Sequence, residues 1–340
     1  MQNQSPIKVA VVGVGAFGKN HARVYHELQQ QGHGVELVAV VDHDQVQAQA
    51  VARQFGCKAL TGFEELRGRV AAASVAVPTV HHLSTAAGLM AAGIDVLIEK
   101  PLATTLAEAD ELIRLANANQ RIAQVGHLER FNPAVRATLP LITKPMFFEV
   151  HRLSVFTPRS LDVDVILDLM IHDIDVVLSL VNSPIREIRA VGLPVVSGKV
   201  DIANVRLEFE SGCVANFTAS RVSTERVRKL RFFQPREYVS LDYGKQDVLQ
   251  LRVASGEKLS PYQLQSMALS PVPIPGVLMN RPSVKQEEPL HAELSSFIEA
   301  VRHRSKPVIP LEEGRRALQT ALDILSAIGE HSQRANIGSL

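Results

Sequence analysis

Ile7-Lys8-Val9-Ala10-Val11-Val12-Gly13-Val14-Gly15-Ala16-Phe17-Gly18 is the stretch on which the reading of this chain turns. A short β-branched run is followed by three glycines spaced two and three residues apart, and then by good helix formers from Lys19 onward. Each glycine has a separate task in a strand-turn-helix that binds a dinucleotide. Gly13 permits the tight turn, Gly15 lets backbone approach a pyrophosphate, and Gly18 lets the helix pack closely on the strand. The N–H groups and partial positive charge of the helix start then face the phosphates, which places Ala16 and Phe17 at the cofactor. Asp42 closes the next apolar run, 24 residues beyond Gly18. A carboxylate there accepts hydrogen bonds from ribose hydroxyls and repels a 2′-phosphate, so the pattern favours NAD over NADP. The competing reading of Asp42 is a plain turn residue beside Asp44.

Outward from this fingerprint the rhythm continues. Val35–Val41, Ala73–Val77, Ile94–Ile98 and Ile122–Val125 read as strands with little polar alternation, as expected of strands buried on both faces. Lys19–Gln31, Val46–Phe55, His81–Ala92 and Thr105–Asn117 carry helical apolar spacing between them. Strands alternating with helices predict a parallel sheet over residues 1–124. From residue 125 to 340 the strands follow one another: Met146–Val155, Glu187–Val191, Asn204–Phe209, Val214–Ser220, Lys229–Phe233 and Val239–Tyr243. Helices are predicted at Val163–Val181, Leu290–His303 and Leu311–Ile328, and Ser255–Pro289 reads as a long irregular excursion. The fold class is therefore α/β: an N-terminal Rossmann fold, then an α/β domain on a large, mostly antiparallel sheet.

Composition narrows the function. A chain of 340 residues exceeds one ordinary core and suits two domains. Its 36 basic and 35 acidic side chains nearly cancel, so no strong field draws nucleic acid or an anionic membrane. Cys57 and Cys213 are the two cysteines and lie too far apart for a close-spaced metal or redox pair. With no apolar run of membrane-spanning length and no basic, then apolar start, the expectation is a cytoplasmic enzyme without a metal.

Two further places carry chemistry. Lys100, in Glu99-Lys100-Pro101, follows the strand Ile94–Ile98, at the carboxyl end where ligands of open parallel sheets bind. A surface lysine is the alternative, and Lys100-Pro101 is a candidate cis bond. In Val163–Val181, Asp164, Asp168, His172, Asp175 and Ser179 fall on one helical stripe of an otherwise apolar helix, with Asp162 and Asp173 opposite. Asp168 and His172 sit one turn apart, close enough for the carboxylate to orient the imidazole as an acid-base dyad. A solvated edge and an Asp/His metal site are the competing readings.

Together, Gly13-x-Gly15-x-x-Gly18, Pro78-Thr79-x-x-His82, Glu99-Lys100-Pro101 and Asp168-x-x-x-His172 resemble the glucose-fructose oxidoreductase, inositol dehydrogenase and rhizopine-catabolism (Gfo/Idh/MocA) family of sugar dehydrogenases. The resemblance covers nearly the whole chain. It implies that Lys100, Asp168 and His172 are catalytic, that Pro78, Thr79, His82 and Glu99 contact NAD, and that the C-terminal sheet joins copies into a dimer or tetramer. Gly126-His127-Leu128-Glu129-Arg130-Phe131-Asn132-Pro133 and Leu161–Asp173 are similar to members that oxidise C3 of UDP-N-acetylglucosamine, a step toward a diamino sugar of lipid A. That likeness implies a nucleotide-sugar substrate met by Lys100, Arg130, Phe131, Asn132 and His172. Arg152 and Arg159, which bracket the approach to the catalytic helix, are candidates for the diphosphate. A free sugar, inositol or other polyol is the alternative substrate. A non-catalytic NAD-binding regulator is the alternative of another class, and whether His172 or Lys100 is the base stays open.

Overall fold

The computed structural model describes residues 5–157, 163–254 and 276–335. Its contacts divide into two units, Met1–Phe131 with Glu288–Gln319, and Asn132–Glu287 with Thr320–Leu340.

In the first unit, strands β1 (Ile7–Val12), β2 (Val35–Val41), β3 (Lys58–Leu60), β4 (Ala72–Val75), β5 (Asp95–Glu99) and β6 (Ala123–Gly126) form a parallel sheet in the order β3-β2-β1-β4-β5-β6. That order is the doubly wound one, with its reversal beside β1, where the glycine turn lies. Helices α1 (Ala16–Gln30), α2 (Gln45–Phe55), α3 (His82–Ala91) and α4 (Leu106–Ala118) make the crossovers. Local chemistry sets their ends. Asp44 caps α2 by accepting the N–H groups of Val46 and Gln47, and Gly56 closes it at φ +67°. Thr105 and Glu108 form a reciprocal capping box on α4. Strand β3 escaped the sequence reading because three residues are too few to show a period.

The first unit recruits a distant segment. Helix α7 (Pro289–His303; α5 and α6 follow below) buries Leu290, Leu294, Phe297, Ile298 and Val301 in one cluster with Val9, Tyr25, Leu28 and Leu97. The chain reading had cut the molecule after residue 124. An apolar face on α7 that packs into the first core is the physical reason the contact units differ from that cut.

The second unit holds α5 (Pro133–Thr138) and an eight-stranded sheet: β7 (Phe147–Val155), β8 (Ile185–Leu193), β9 (Ile202–Phe209), β10 (Val214–Ser223), β11 (Val227–Gln234), β12 (Glu237–Asp242), β13 (Asp247–Val253) and β14 (Val277–Asn280). Its order is β14-β13-β12-β11-β7-β10-β9-β8, antiparallel except for the β7–β10 pair. One face is fully buried, through Phe148, Val150, Val205, Phe217, Phe232 and Val239. The other is half-buried and includes stacked Phe147 and Phe233, with Tyr238 beside them. Strand β14 falls inside the predicted irregular excursion, most of which lies outside the described residues. Helix α8 (Leu311–Arg334) runs beyond its predicted end, and no helix among the described residues is long and apolar enough to cross a membrane.

Phe297→Ala tests the placement of α7. Emptying a fully buried phenylalanine site should lower the unfolding free energy by about 3–5 kcal/mol in chemical denaturation. A loss below about 1 kcal/mol would remove α7 from that core.

Candidate active site

The glycine turn is shaped by contact. Gly13 has φ +84°, and a Cβ there would sit 2.7 Å from the backbone of Ala76 and Val77. A Cβ on Gly18 would lie 1.7 Å from the Gly13 carbonyl oxygen. Helix α1 starts at Ala16 with no side-chain cap, so its first N–H groups face a cleft of about 860 Å³. Gly15, Phe17, Asp42, Pro78 and His81 line that cleft, and the sequence reading missed Thr61, Phe63 and His81 there. These residues fit a dinucleotide: a backbone cradle that any side chain would fill, and a carboxylate at the end of β2.

Asp42 is buried and well engaged. Its Oδ2 accepts from the Val14 N–H at 2.8 Å and Gln47 Nε2 at 3.1 Å, while Oδ1 accepts from the Asp44 N–H at 3.0 Å and lies 3.1 Å from His43 Nδ1. The backbone bonds hold the carboxylate in place. The side chains of Gln47 and fully exposed His43 are the partners that ribose hydroxyls can replace.

Around Lys100 the first unit concentrates buried polar groups. Lys100 follows β5, and its peptide bond to Pro101 is cis. Glu99 Oε1 lies 2.8 Å from Nε2 of buried His21, and Oε2 accepts the Lys100 N–H at 3.2 Å. His82 is buried rather than turned to the cleft: Nδ1 faces the carbonyls of Pro101 and Leu102 at 3.0 and 3.3 Å, and Nε2 faces that of Val77 at 3.0 Å. It therefore acts on the cofactor loop and the lysine loop as a clasp between them. Pro78 lies exposed at the cleft, and Thr79 opens the short 3₁₀ turn that leads to His82.

His127, after β6, was not singled out from sequence. Burial, assisted by the charges of Arg130 and Lys100, pushes its imidazole down to about 3, and neither ring nitrogen has a hydrogen-bond partner among the described residues. Arg130 donates to Glu313 at 2.6 Å. Phe131 is core. The Asn132 side chain caps α5 through the Ala134 N–H and donates to the Tyr243 carbonyl at 3.1 Å, so these contacts give it a structural task.

In the second unit the predicted helix is two structures. Ile166–Met170 forms a π-helical turn carrying Asp168, and α6 (Ile171–Leu180) carries His172. A π turn inside a helix is a frequent mark of a functional position. Both Asp168 and His172 are half-buried. The polar stripe is narrower than expected, because Asp164 accepts the Val200 N–H at 2.9 Å and Ser179 donates to the Val176 carbonyl at 2.6 Å. Arg152 corrects a further expectation. Its guanidinium is buried against Asp173, with Nε 2.5 Å from Oδ2 and Nη2 2.9 Å from Oδ1, and it lies over the Tyr243 ring. That fork holds α6 to the sheet and is not free to meet a diphosphate. Arg159 and Asp162 lie outside the described residues.

Two family profiles match the chain: an oxidoreductase family with an NAD-binding Rossmann fold over residues 7–127, and the GFO/IDH/MocA C-terminal domain over 147–235. The chain belongs to the GFO/IDH/MocA oxidoreductase family. It is thus an NAD-dependent oxidoreductase acting on CH–OH groups. It is 33% identical to the UDP-N-acetylglucosamine 3-dehydrogenase of Acidithiobacillus ferrooxidans, over 96% of this chain and 99% of the relative. A solved structure of that enzyme superposes with a TM-score of 0.85 at 31% identity, covering 96% and 98% of the two chains. The scyllo-inositol 2-dehydrogenase (NAD(+)) of Bacillus subtilis is 28% identical over 64% of this chain and 68% of its own. The scyllo-inositol dehydrogenase of Lactobacillus casei, solved with NAD(H) and scyllo-inositol, shares the fold at a TM-score of 0.76 and 16% identity, with 96% and 98% covered.

For this family member, Asp42→Ala should weaken NAD roughly ten- to a hundredfold, the scale of hydrogen bonds to a charged acceptor, and narrow its advantage over NADP. Unchanged kcat/KM for both cofactors would refute the ribose assignment. His127 gives a pH test. Its folded pKa is depressed, so the unfolded chain takes up the proton first and stability falls as pH drops from about 6.5 towards 3. Denaturation curves of His127→Leu should be flatter than the parent's across that window.

Proposed function

We propose that the chain oxidises the C3 hydroxyl of UDP-N-acetylglucosamine to the 3-keto nucleotide sugar, a precursor of a lipid A diamino sugar. The observation that carries this reading is similarity along the whole chain to the UDP-N-acetylglucosamine 3-dehydrogenase, against partial coverage by the inositol dehydrogenase relative. Because such inositol enzymes are also similar, oxidation of a cyclic polyol is the second reading.

NAD, when bound, supplies the hydride acceptor. His172 takes the proton of the reacting hydroxyl, and Asp168, one turn earlier, orients the imidazole and stabilises its cation. Lys100 hydrogen-bonds the same oxygen. Pro78 and Thr79 flank the cofactor, and Glu99 supports it through the lysine loop. Arg159 is the remaining arginine candidate for the diphosphate, argued from its position before the catalytic helix. The half-buried face with Phe147, Phe233 and Tyr238 suits a second copy of the chain, so the proposed form is a cytoplasmic homo-oligomer.

Turnover with UDP-N-acetylglucosamine and with inositols, each followed as NADH, decides between the two substrates. Millimolar UDP should compete with the sugar nucleotide, because a remote handle contributes binding energy that positions the reacting carbon. Efficient oxidation of a free polyol with no effect of UDP would leave the dehydrogenase and remove the nucleotide sugar. His172→Ala should reduce kcat by about 10²–10⁴ while sparing NADH binding. Near-parental turnover would move the base elsewhere.

A further inference from the structure

We propose that Phe63 is the wall on which the adenine of NAD packs, and that Gly88, on α3, is the positioning residue that holds the Phe63 ring there. The inference rests on the reading of Asp42 as the acceptor of the adenosine ribose hydroxyls, and it adds the contact for the base.

Topology decides where the base goes. In the order β3-β2-β1-β4-β5-β6, the glycine turn after β1 lies between Asp42, after β2, and Lys100, after β5. A dinucleotide crosses such a turn with its pyrophosphate at the start of the helix. The nicotinamide belongs on the side of Lys100, so the adenosine half takes the side of β2 and β3. There the Asp42 N–H donates to the Leu60 carbonyl at 3.1 Å and joins the end of β2 to the end of β3. The loop leaving β3 therefore starts beside the ribose carboxylate, and its residues Thr61, Gly62, Phe63 and Glu64 line the cleft. Of these four, Phe63 alone is aromatic.

Two supports fix the Phe63 ring. Phe63 opens the 3₁₀ turn Phe63–Leu66, whose last residue, Leu66, is fully buried and anchors it. The ring edge then meets α3 at the one place on that helix surface where a side chain is missing. A Cβ on Gly88 would lie 2.5 Å from the Phe63 Cε2 and 2.9 Å from Cζ, so any larger residue displaces the ring. Held in this way, Phe63 stays half-buried at the cleft and keeps apolar surface for a ligand. Nearby Ser84 does not compete as a polar contact for the base, because its hydroxyl donates to the His81 carbonyl at 3.2 Å. A purine presents a flat π face, and stacking it on an aromatic ring contributes affinity without regard to its hydrogen-bonding edge.

The fluorescence of NADH on binding gives its Kd, and ADP-ribose, which keeps the adenosine half and lacks the nicotinamide, is measured by displacement. Phe63→Leu keeps apolar packing but loses the flat ring, and should weaken NADH and ADP-ribose by the same factor, about tenfold. Phe63→Tyr keeps the ring and should bind both like the parent. Gly88→Ala should weaken both in the parent yet add nothing in Phe63→Leu, which lacks the Cε2 and Cζ atoms that the new Cβ meets. Should Gly88→Ala fail to fold, the leucine and tyrosine variants carry the comparison. Parental affinities in Phe63→Leu, a loss for NADH that spares ADP-ribose, or additive effects of the two substitutions would overturn the proposal. Asp42→Ala, measured alongside, separates the two readings. Parental binding there removes the ribose assignment, while a loss in Phe63→Leu still supports the wall. Weak binding in Asp42→Ala with parental binding in Phe63→Leu keeps the ribose assignment and removes the wall.

Discussion

Backbone against backbone, at the contact between the glycine turn and the end of β4, is the constraint from which the first unit is built. Gly13 and Gly18 approach Ala76 and each other so closely that no side chain fits at either position. That approach puts α1 directly over the sheet and aims its uncapped N–H groups at the cleft. It also sets the depth of everything further along α1. His21 and Tyr25, one and two turns on, reach Glu99 and Ser74 on the strands below at 2.8 and 3.0 Å. A larger residue at Gly18 would lift the helix, and with it both polar contacts. The phosphate cradle and the lysine loop thus depend on one packing distance.

Buried polar groups then do what apolar packing cannot, which is to fix particular atoms. Asp42 ties the turn to β2 through the Val14 N–H. His82 clasps the loops after β4 and β5, and Arg152 with Asp173 fastens α6 to its sheet. Each such group has a high desolvation cost unless its partners are in place, so each tolerates few alternative arrangements. Specificity of position is what they contribute: in the first unit at the glycine turn and the lysine loop, and in the second at α6.

The sequence made the parallel unit legible because its signals are local. The spacing of glycines, the apolar runs of β1 and β2, and Asp42 could be placed to the residue, since strand, turn and helix follow one another within one stretch of chain. Lys100 was legible for the same reason, as the residue that leaves a buried strand. What escaped depends on distant partners. Nothing near Arg152 in the chain announces Asp173, and an arginine beside a substrate-like motif reads as a phosphate binder until its fork is seen to be engaged. Likewise, α7 reads as a helix of the second domain because sequence order does not say which core its apolar face fills. The pairing of His21 with Glu99 was equally invisible, since a lone histidine on a helix has no meaning until the carboxylate opposite is known.

The π turn at Ile166–Met170 shows a subtler limit of pattern reading. Spacings of three and four along Val163–Val181 imply one straight α-helical stripe, whereas Asp168 falls in a π turn and His172 in the α-helix that follows it. The wider π turn inserts extra backbone before α6, which breaks the register between residues on either side of it. Asp164, ahead of the turn, accepts the Val200 N–H, while Asp168 lies within the turn. Helical periodicity assumes a constant 3.6 residues per turn. Where the backbone departs from that value, side chains on either side lose their common face, and here the departure falls on Asp168, one member of the proposed acid-base pair.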